Sequence, residues 1–157
     1  MDAKLKAARL DGYQVDGDNQ KIYNLAGNYV KRFDEMYEKR QGLLFWGTVG
    51  TGKSYTAACI ANELLNQMIP VVMTSFVKIL QNIQGNPDEE ERIMAGLNAA
   101  KLLIMTLKDM QESEDIRYRR IYDRIFEMCF PVRFAGRSWR EKAASKRFDA
   151  MKNLMEE

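Results

Sequence analysis

The chain has 157 residues, 46% of them hydrophobic, which suits one domain with a buried core. Its 24 basic and 22 acidic residues leave a net charge of only +2, so the overall balance points to no class of partner. With no histidine and two cysteines outside any C-x-x-C spacing, a disulfide framework and a zinc site are both excluded.

Residues 1–20 are polar, with Gly12, Gly17 and the run D-G-D-N, and read as a loose lead-in to one domain over 21–157. The start of the chain is charged and lacks an apolar signal core, and no apolar run approaches the roughly 20 residues of a membrane span, so the expected setting is cytoplasmic. Ile22, Leu25, Ala26, Tyr29, Val30, Phe33, Met36 and Tyr37 recur at steps of three and four, predicting one helix over 21–38 that Gln41-Gly42 breaks. Leu43 to Trp46 is a short buried strand, Gly47 to Gly52 a loop, and Lys53 to Gln67 a helix that ends before Pro70. Val71 to Thr74 is a second strand. Phe76 to Ile83 is a helix stopped by Gly85-Asn86-Pro87. The helix Asp88 to Asn98 opens with four acids, where the helix dipole favours them.

Leu102 to Met105 is a third strand. A helix from about Glu112 to Cys129 turns Ile116, Ile121, Ile125, Phe126 and Cys129 inward, and Val132 to Phe134 is a fourth strand. Ser138 with Glu141 three residues later is a capping box that opens the last helix, and Ala144, Phe148, Met151 and Met155 are its expected buried stripe. Cys59 and Cys129 lie in apolar stretches and are expected as buried thiols. Strands alternating with helices predict an α/β fold with a mostly parallel sheet of about four strands. There is no internal repeat.

The decisive pattern is G-x-x-x-x-G-K-[ST], met by Gly47, Gly52, Lys53 and Ser54 between a strand and a helix. Glycines let the backbone curl so that several N–H groups face one anion. The helix that follows aims its own first N–H groups and its dipole at the same point. Lys53 is placed to reach β- and γ-phosphates and Ser54 to hold Mg²⁺. The predicted nucleotide-binding set is Gly47, Thr48, Val49, Gly50, Thr51, Gly52, Lys53, Ser54 and Tyr55, with ATP and Mg²⁺ as ligands.

Residues 117–147 hold ten cations (Arg117, Arg119, Arg120, Arg124, Arg133, Arg137, Arg140, Lys142, Lys146 and Arg147) against Asp123, Glu127 and Glu141, a net +7. Arg117, Arg120 and Arg124 step along one helical face. This region reads as a solvated face, as a source of an arginine for a neighbour's nucleotide, or as a surface for nucleic-acid phosphates. Trp139 and Phe134 offer rings that could stack on bases but are more often core.

The stretch G-L-L-F-W-G-T-V-G-T-G-K-S-Y-T-A-A-C-I-A-N-E-L-L resembles the nucleotide-binding core of bacterial and phage DnaC-type helicase loaders, AAA+ ATPases similar to IstB-type transposition ATPases. D-I-R-Y-R-R-I-Y-D-R-I-F-E-M-C and F-A-G-R-S-W-R resemble later blocks of the same family, in family order. The resemblance implies an AAA+-like P-loop three-layer sandwich that binds ATP and Mg²⁺. It implies Arg124, then Arg120, as arginine finger and Arg140 as the sensor-2 arginine. It also implies a replicative DNA helicase and single-stranded DNA as partners, and a helical or ring-like homo-oligomer.

The chain departs from the family after its third strand, where two aspartates are expected to hold Mg²⁺ and position water. Here Lys101-Leu102-Leu103-Ile104 runs into Met105-Thr106-Leu107-Lys108-Asp109, and T-L-K-D-M resembles the segment just after the family's fourth strand. A helix, a strand, the acidic pair and the sensor-1 asparagine are therefore expected to be absent, on the order of 40 residues. Asp109 is not read as a replacement. Three functions follow: a helicase-loader-like ATP-binding protein, a non-hydrolysing interaction module of the same ancestry, or, least favoured, a small P-loop kinase.

Overall fold

The apolar run Leu43–Phe45 is the centre of the molecule, and its period of two explains why the sheet is covered on both faces. The computed structural model describes residues 3–85, 89–99, 103–107 and 116–155. Asp88, Leu102, Asp109 and Glu112 lie outside the described residues, as do the side chains of Ile116 and Arg117. The elements are α1 (Ala3–Lys6), α2 (Gln20–Lys31), α3 (Phe33–Glu38), β1 (Gly42–Gly47), α4 (Lys53–Asn66) and β2 (Val72–Ser75). They continue as α5 (Phe76–Gly85), α6 (Glu89–Ala99), β3 (Leu103–Leu107), α7 (Ile116–Met128), β4 (Cys129–Phe134) and α8 (Trp139–Met155). The strands lie in the order β2-β3-β1-β4, and every pairing is parallel.

Successive β1 side chains enter opposite layers. Leu43 and Phe45 pack with Ala26, Tyr29, Phe33, Ala57, Ile60 and Leu64 beneath α2 and α4. Leu44 packs the other way, with Phe76, Ile79, Leu97, Ile121, Ile125 and Met128 of α5, α6 and α7. The predicted three-layer sandwich with a four-stranded parallel sheet is thus the observed architecture. β3 pairs with both β1 and β2 and so closes the sheet beside the phosphate-loop strand. It starts one residue later and runs two residues further than expected, bringing Thr106 into the sheet opposite Phe45.

Several expectations are corrected. The helix expected over 21–38 breaks at Arg32 (φ −105°, ψ 27°) into α2 and α3. On either side of the break Tyr29 and Phe33 both enter the core, and Tyr29 Oη donates to the Gln41 carbonyl at 2.7 Å. Phe126, expected inward, is 39% exposed, and the inner side of α7 is Ile121, Ile125 and Met128. The stripe of α8 is not buried: Ala144, Phe148, Met151 and Met155 all face outward. Its spacing is helical, as expected, but no described residue packs over it.

The lead-in is not loose. Asn62 Nδ2 donates to the carbonyls of Leu5 (2.9 Å) and Ala8 (2.9 Å), tying the end of α1 to α4. Ala8 is buried against Ala58 and Cys59, so α4 is covered on its outer side too. Cys59 and Cys129 are buried thiols as expected, and burial pushes them up to about 11 and about 12 respectively. Among the described residues no helix is long and apolar enough to cross a membrane.

Candidate nucleotide-binding site

Parallel α/β sheets leave a crevice at the carboxyl ends of their strands. Here β1 ends at Gly47, β2 at Ser75 and β3 at Leu107, and all point toward one cavity of about 790 Å³. Val49, Gly50, Gly52, Lys53, Ser54 and Tyr55 line it from the loop and the start of α4, Ser75 and Thr106 from the strand ends, Val77 from the start of α5, and Trp139 and Arg140 from α8. The volume is within the usual range for small-molecule sites, about 300–1,000 Å³.

The loop is held open by its own bonds. Gly47 (φ +125°) and Gly50 (φ +83°) take conformations that side-chain-bearing residues rarely adopt. Thr51 Oγ1 donates to the Thr48 carbonyl at 2.9 Å. Lys53 Nζ donates to the Gly47 carbonyl at 2.7 Å and to that of Thr48, so the ammonium spans the loop. The first bond of α4 runs from Thr56 N–H to the Gly52 carbonyl at 2.9 Å. The N–H groups of Lys53, Ser54 and Tyr55 therefore lie outside the helix's own ladder, at its positive end.

The remaining wall comes from both ends of the chain. Gly12, Tyr13 and Gln14 of the lead-in line the cavity. Tyr13 Oη and Thr56 Oγ1 share a 2.7 Å hydrogen bond, and the Tyr13 ring sits 5.4 Å from Tyr23 and 5.7 Å from Tyr55. From the other end, Trp139 N–H donates to the Gly50 carbonyl at 2.9 Å, planting the start of α8 on the loop. Ser138 caps α8, but it accepts the N–H of Arg140 (3.2 Å) rather than that of Glu141 as a capping box would have it.

Lys142 fastens these two walls together. Its ammonium lies 2.7 Å from Asp16 and 3.0 Å from Asp18, and 4.9 Å from the centre of the Trp139 ring. The hydrogen bond from Lys142 holds the Asp16 carboxyl below its usual value, and the same bond raises Lys142. A depressed carboxylate stabilises the fold above its unfolded pKa and loses that contribution as pH falls through its folded pKa. A raised amine contributes below its unfolded pKa and loses it only as pH climbs through its folded pKa. The clasp is therefore complete across neutral pH and fails first in acid. Asp16→Asn should lower the melting temperature modestly at pH 7, and the gap from wild type should close as acid protonates the Asp16 carboxyl, below the ordinary carboxylate range. A gap independent of pH would remove the clasp from the account.

The lining includes Lys4, Lys53 and Arg140 and, among the described residues, no carboxylate. A cavity of this sign, at a helix N-terminus, fits a polyphosphate. Ser54 places a hydroxyl on the cavity wall, and among the described residues no acidic cluster of three or more adjoins it.

Of the predicted arginines only Arg140 lines the cavity, and Gly47, Thr48 and Thr51 of the predicted loop set are not among its lining residues. Arg120 lies 3.7 Å from Glu90, and Arg124 pairs with Glu127 at 2.6 Å. Phe134 is core, its ring tilted against that of Phe45 at 4.9 Å, whereas half-buried Trp139 faces the cavity. The sequence reading missed Tyr13, Ser75 and Thr106. The last two were detectable as polar residues ending strands beside the loop. Nothing local marks Tyr13, which reaches the site only because the lead-in packs on α4.

Comparison with known proteins agrees with this geometry. Residues 43–117 match the AAA family, the ATPase family associated with various cellular activities. The replicative helicase loader DnaC of Buchnera aphidicola subsp. Acyrthosiphon pisum (strain APS) is 25% identical over 117 residues, 71% of this chain and 46% of its own length. Residues 43–117 thus carry an AAA-type segment, and the chain is similar to the DnaC helicase loaders. The DnaC of Buchnera aphidicola subsp. Schizaphis graminum (strain Sg) is 25% identical over the same shares. The match thus spans about half the length of these DnaC relatives. The fold is similar to those of solved structures, among them the following three. DnaI has a TM-score of 0.62 at 19% identity, covering 88% of this chain and 93% of DnaI. The DnaC helicase loader scores 0.62 at 16%, covering 85% and 100%. The replication initiator DnaA, bound to AMPPCP and single-stranded DNA, scores 0.60 at 15%, covering 83% and 42%.

Proposed function

We propose that this chain binds ATP in the Gly47–Tyr55 loop and serves DNA replication as a helicase-loader-like protein. The observation that carries the reading is the cavity itself, where a curled loop, a helix N-terminus, Lys53 and Arg140 converge and no described carboxylate opposes a triphosphate. Lys53 holds the loop by its carbonyls and would turn from them to the phosphates. Ser54 would hold Mg²⁺, which when bound offsets the charge of the β- and γ-phosphates. Arg140 would act as the sensor-2 arginine on the same phosphates. Thr106, at the end of the strand beside β1, is the polar group best placed to take the role expected of an asparagine there. Tyr13 and Tyr55 offer aromatic surface for the nucleoside.

The relatives' names support a replicative DNA helicase as partner, and exposed Arg119, Arg133 and Arg137 support contact with single-stranded DNA. Assembly into a homo-oligomer would give Arg124, with Arg120 as the alternative, a neighbouring nucleotide to reach. Arg124 has the stronger case, because its buried Nε has no hydrogen-bond partner.

A second reading, a non-hydrolysing module, is favoured by the cavity lining, which offers Ser54 and Thr106 but no acid to orient water. The test is one titration and one turnover assay on the purified chain. Saturable ATP binding is expected, and its absence would end both readings. Phosphate release, with or without single-stranded DNA, would exclude the second.

A further inference from the structure

Helix α8 has 17 residues, and most helices in proteins owe their stability to an apolar face that is covered. Helix α8 meets the loop through Trp139 and the lead-in through Lys142, and then leaves the body. From Ala143 onward each side chain described is exposed. Phe148 is 71% exposed, Met151 61% and Met155 80%, far more than such residues usually show.

These residues are ordered. Ala144, Phe148, Met151 and Met155 follow steps of four, three and four, the spacing of a coiled-coil seam. At about 100° per residue they fall within an arc of roughly 60°. That stripe is narrow, as for one helix seated on another, and narrower than the broad face of a helix lying on a bilayer. Arg147 flanks the stripe on one side and Lys152 on the other, in the positions that face a partner helix across a seam. Glu141 lies on the Lys152 side near the start, while Lys146 and Asp149 point away from the seam.

The flanks decide what can cover it. A second copy in parallel sets Arg147 against Lys152. A second copy in antiparallel orientation sets Arg147 against Arg140 or another Arg147. Both place like charges together at the seam, which disfavours self-pairing. We propose that α8 is a docking helix for a different protein, whose own helix presents an apolar seam with glutamate or aspartate flanks.

The test uses the full chain and two fluorescent synthetic helices with leucine at both seam positions, one flanked by glutamate and one by lysine. Anisotropy should show saturable binding of the glutamate helix and at least tenfold weaker binding of the lysine helix. Phe148→Ser should abolish the first, and Arg147→Glu with Lys152→Glu should reverse the preference. ATP binding should be unchanged in each variant, since neither flank nor seam lines the cavity. Equal binding of the two helices would overturn the proposal. So would a chain dimer in sedimentation that Phe148→Ser dissolves. Binding of phosphatidylglycerol vesicles with neither helix bound would overturn it as well. The last such result is a large fall in melting temperature for Phe148→Ser without helix binding, since it would place the stripe under the chain's own residues.

Discussion

Lys53→Ala should lower affinity for ATP by one to two orders of magnitude while leaving a folded protein. The ammonium of Lys53 bonds the loop from within, at the Gly47 and Thr48 carbonyls. A hydrogen bond to a charged group contributes about 1.5–3 kcal/mol, and every ~1.4 kcal/mol is tenfold in affinity. In the free protein the same bonds are partly exposed, so their loss should cost about 1 kcal/mol or less of stability. The two effects separate cleanly. A fluorescent-ATP titration in Mg²⁺ reads the first, and thermal melting reads the second. If Lys53→Ala binds ATP as wild type does, the ligand does not sit in this loop, however well the cavity fits it.

The loop was legible in the sequence because its chemistry is local. Eight consecutive residues hold the curl, the cation and the hydroxyl, and a strand and a helix flank them whatever the rest of the chain does. The sheet was legible for a related reason. Leu43–Phe45 must be covered on both faces, which forces parallel pairing with helices above and below. What could not be read was set by contacts distant in sequence. Tyr13 enters the site through Thr56, 43 residues away, and Lys142 meets Asp16 across 126 residues. The polar look of the lead-in was misleading because it packs on α4 through backbone carbonyls, to Asn62, as much as through apolar side chains. The stripe of α8 failed for the opposite reason. Periodicity identifies an apolar face but not what lies against it, and a face for another chain has the same spacing as one for the core. Arg32 broke the expected helix without any glycine or proline to announce it.

Gly47→Ala should be the most destabilising single change near the site. Gly47 has φ +125°, a conformation alanine adopts only with strain of about 1–3 kcal/mol. A Cβ there would overlap the carbonyl oxygen of Phe134 and lie 3.2 Å from its carbonyl carbon. That neighbour is backbone, not a side chain that can swing aside. Gly47 and Phe134 are register partners in the β1–β4 pair, and the Phe134 ring is core, 4.9 Å from Phe45. Alanine must therefore push β4 away from β1 or rotate the peptide that begins the phosphate loop. Overpacking of this kind costs a further ~1–3 kcal/mol. The total, about 2–6 kcal/mol, should lower the melting temperature by on the order of 10 °C in a domain of this size. Gly50→Ala makes the informative contrast. Its Cβ would meet the Ser138 hydroxyl, which can rotate, and lie 2.9 Å from the Ser138 Cβ, which shifts the cap of α8 rather than a sheet strand, so the loss should be smaller and fall mainly on ATP binding. Gly27→Ala, in α2 with nothing within 4 Å, should be neutral or stabilising by up to ~1 kcal/mol. Urea unfolding of the three variants should rank them in that order. A Gly47→Ala protein as stable as wild type would mean that β4 does not run beside the end of β1, and the wall that carries Trp139 and Arg140 would lose its anchor.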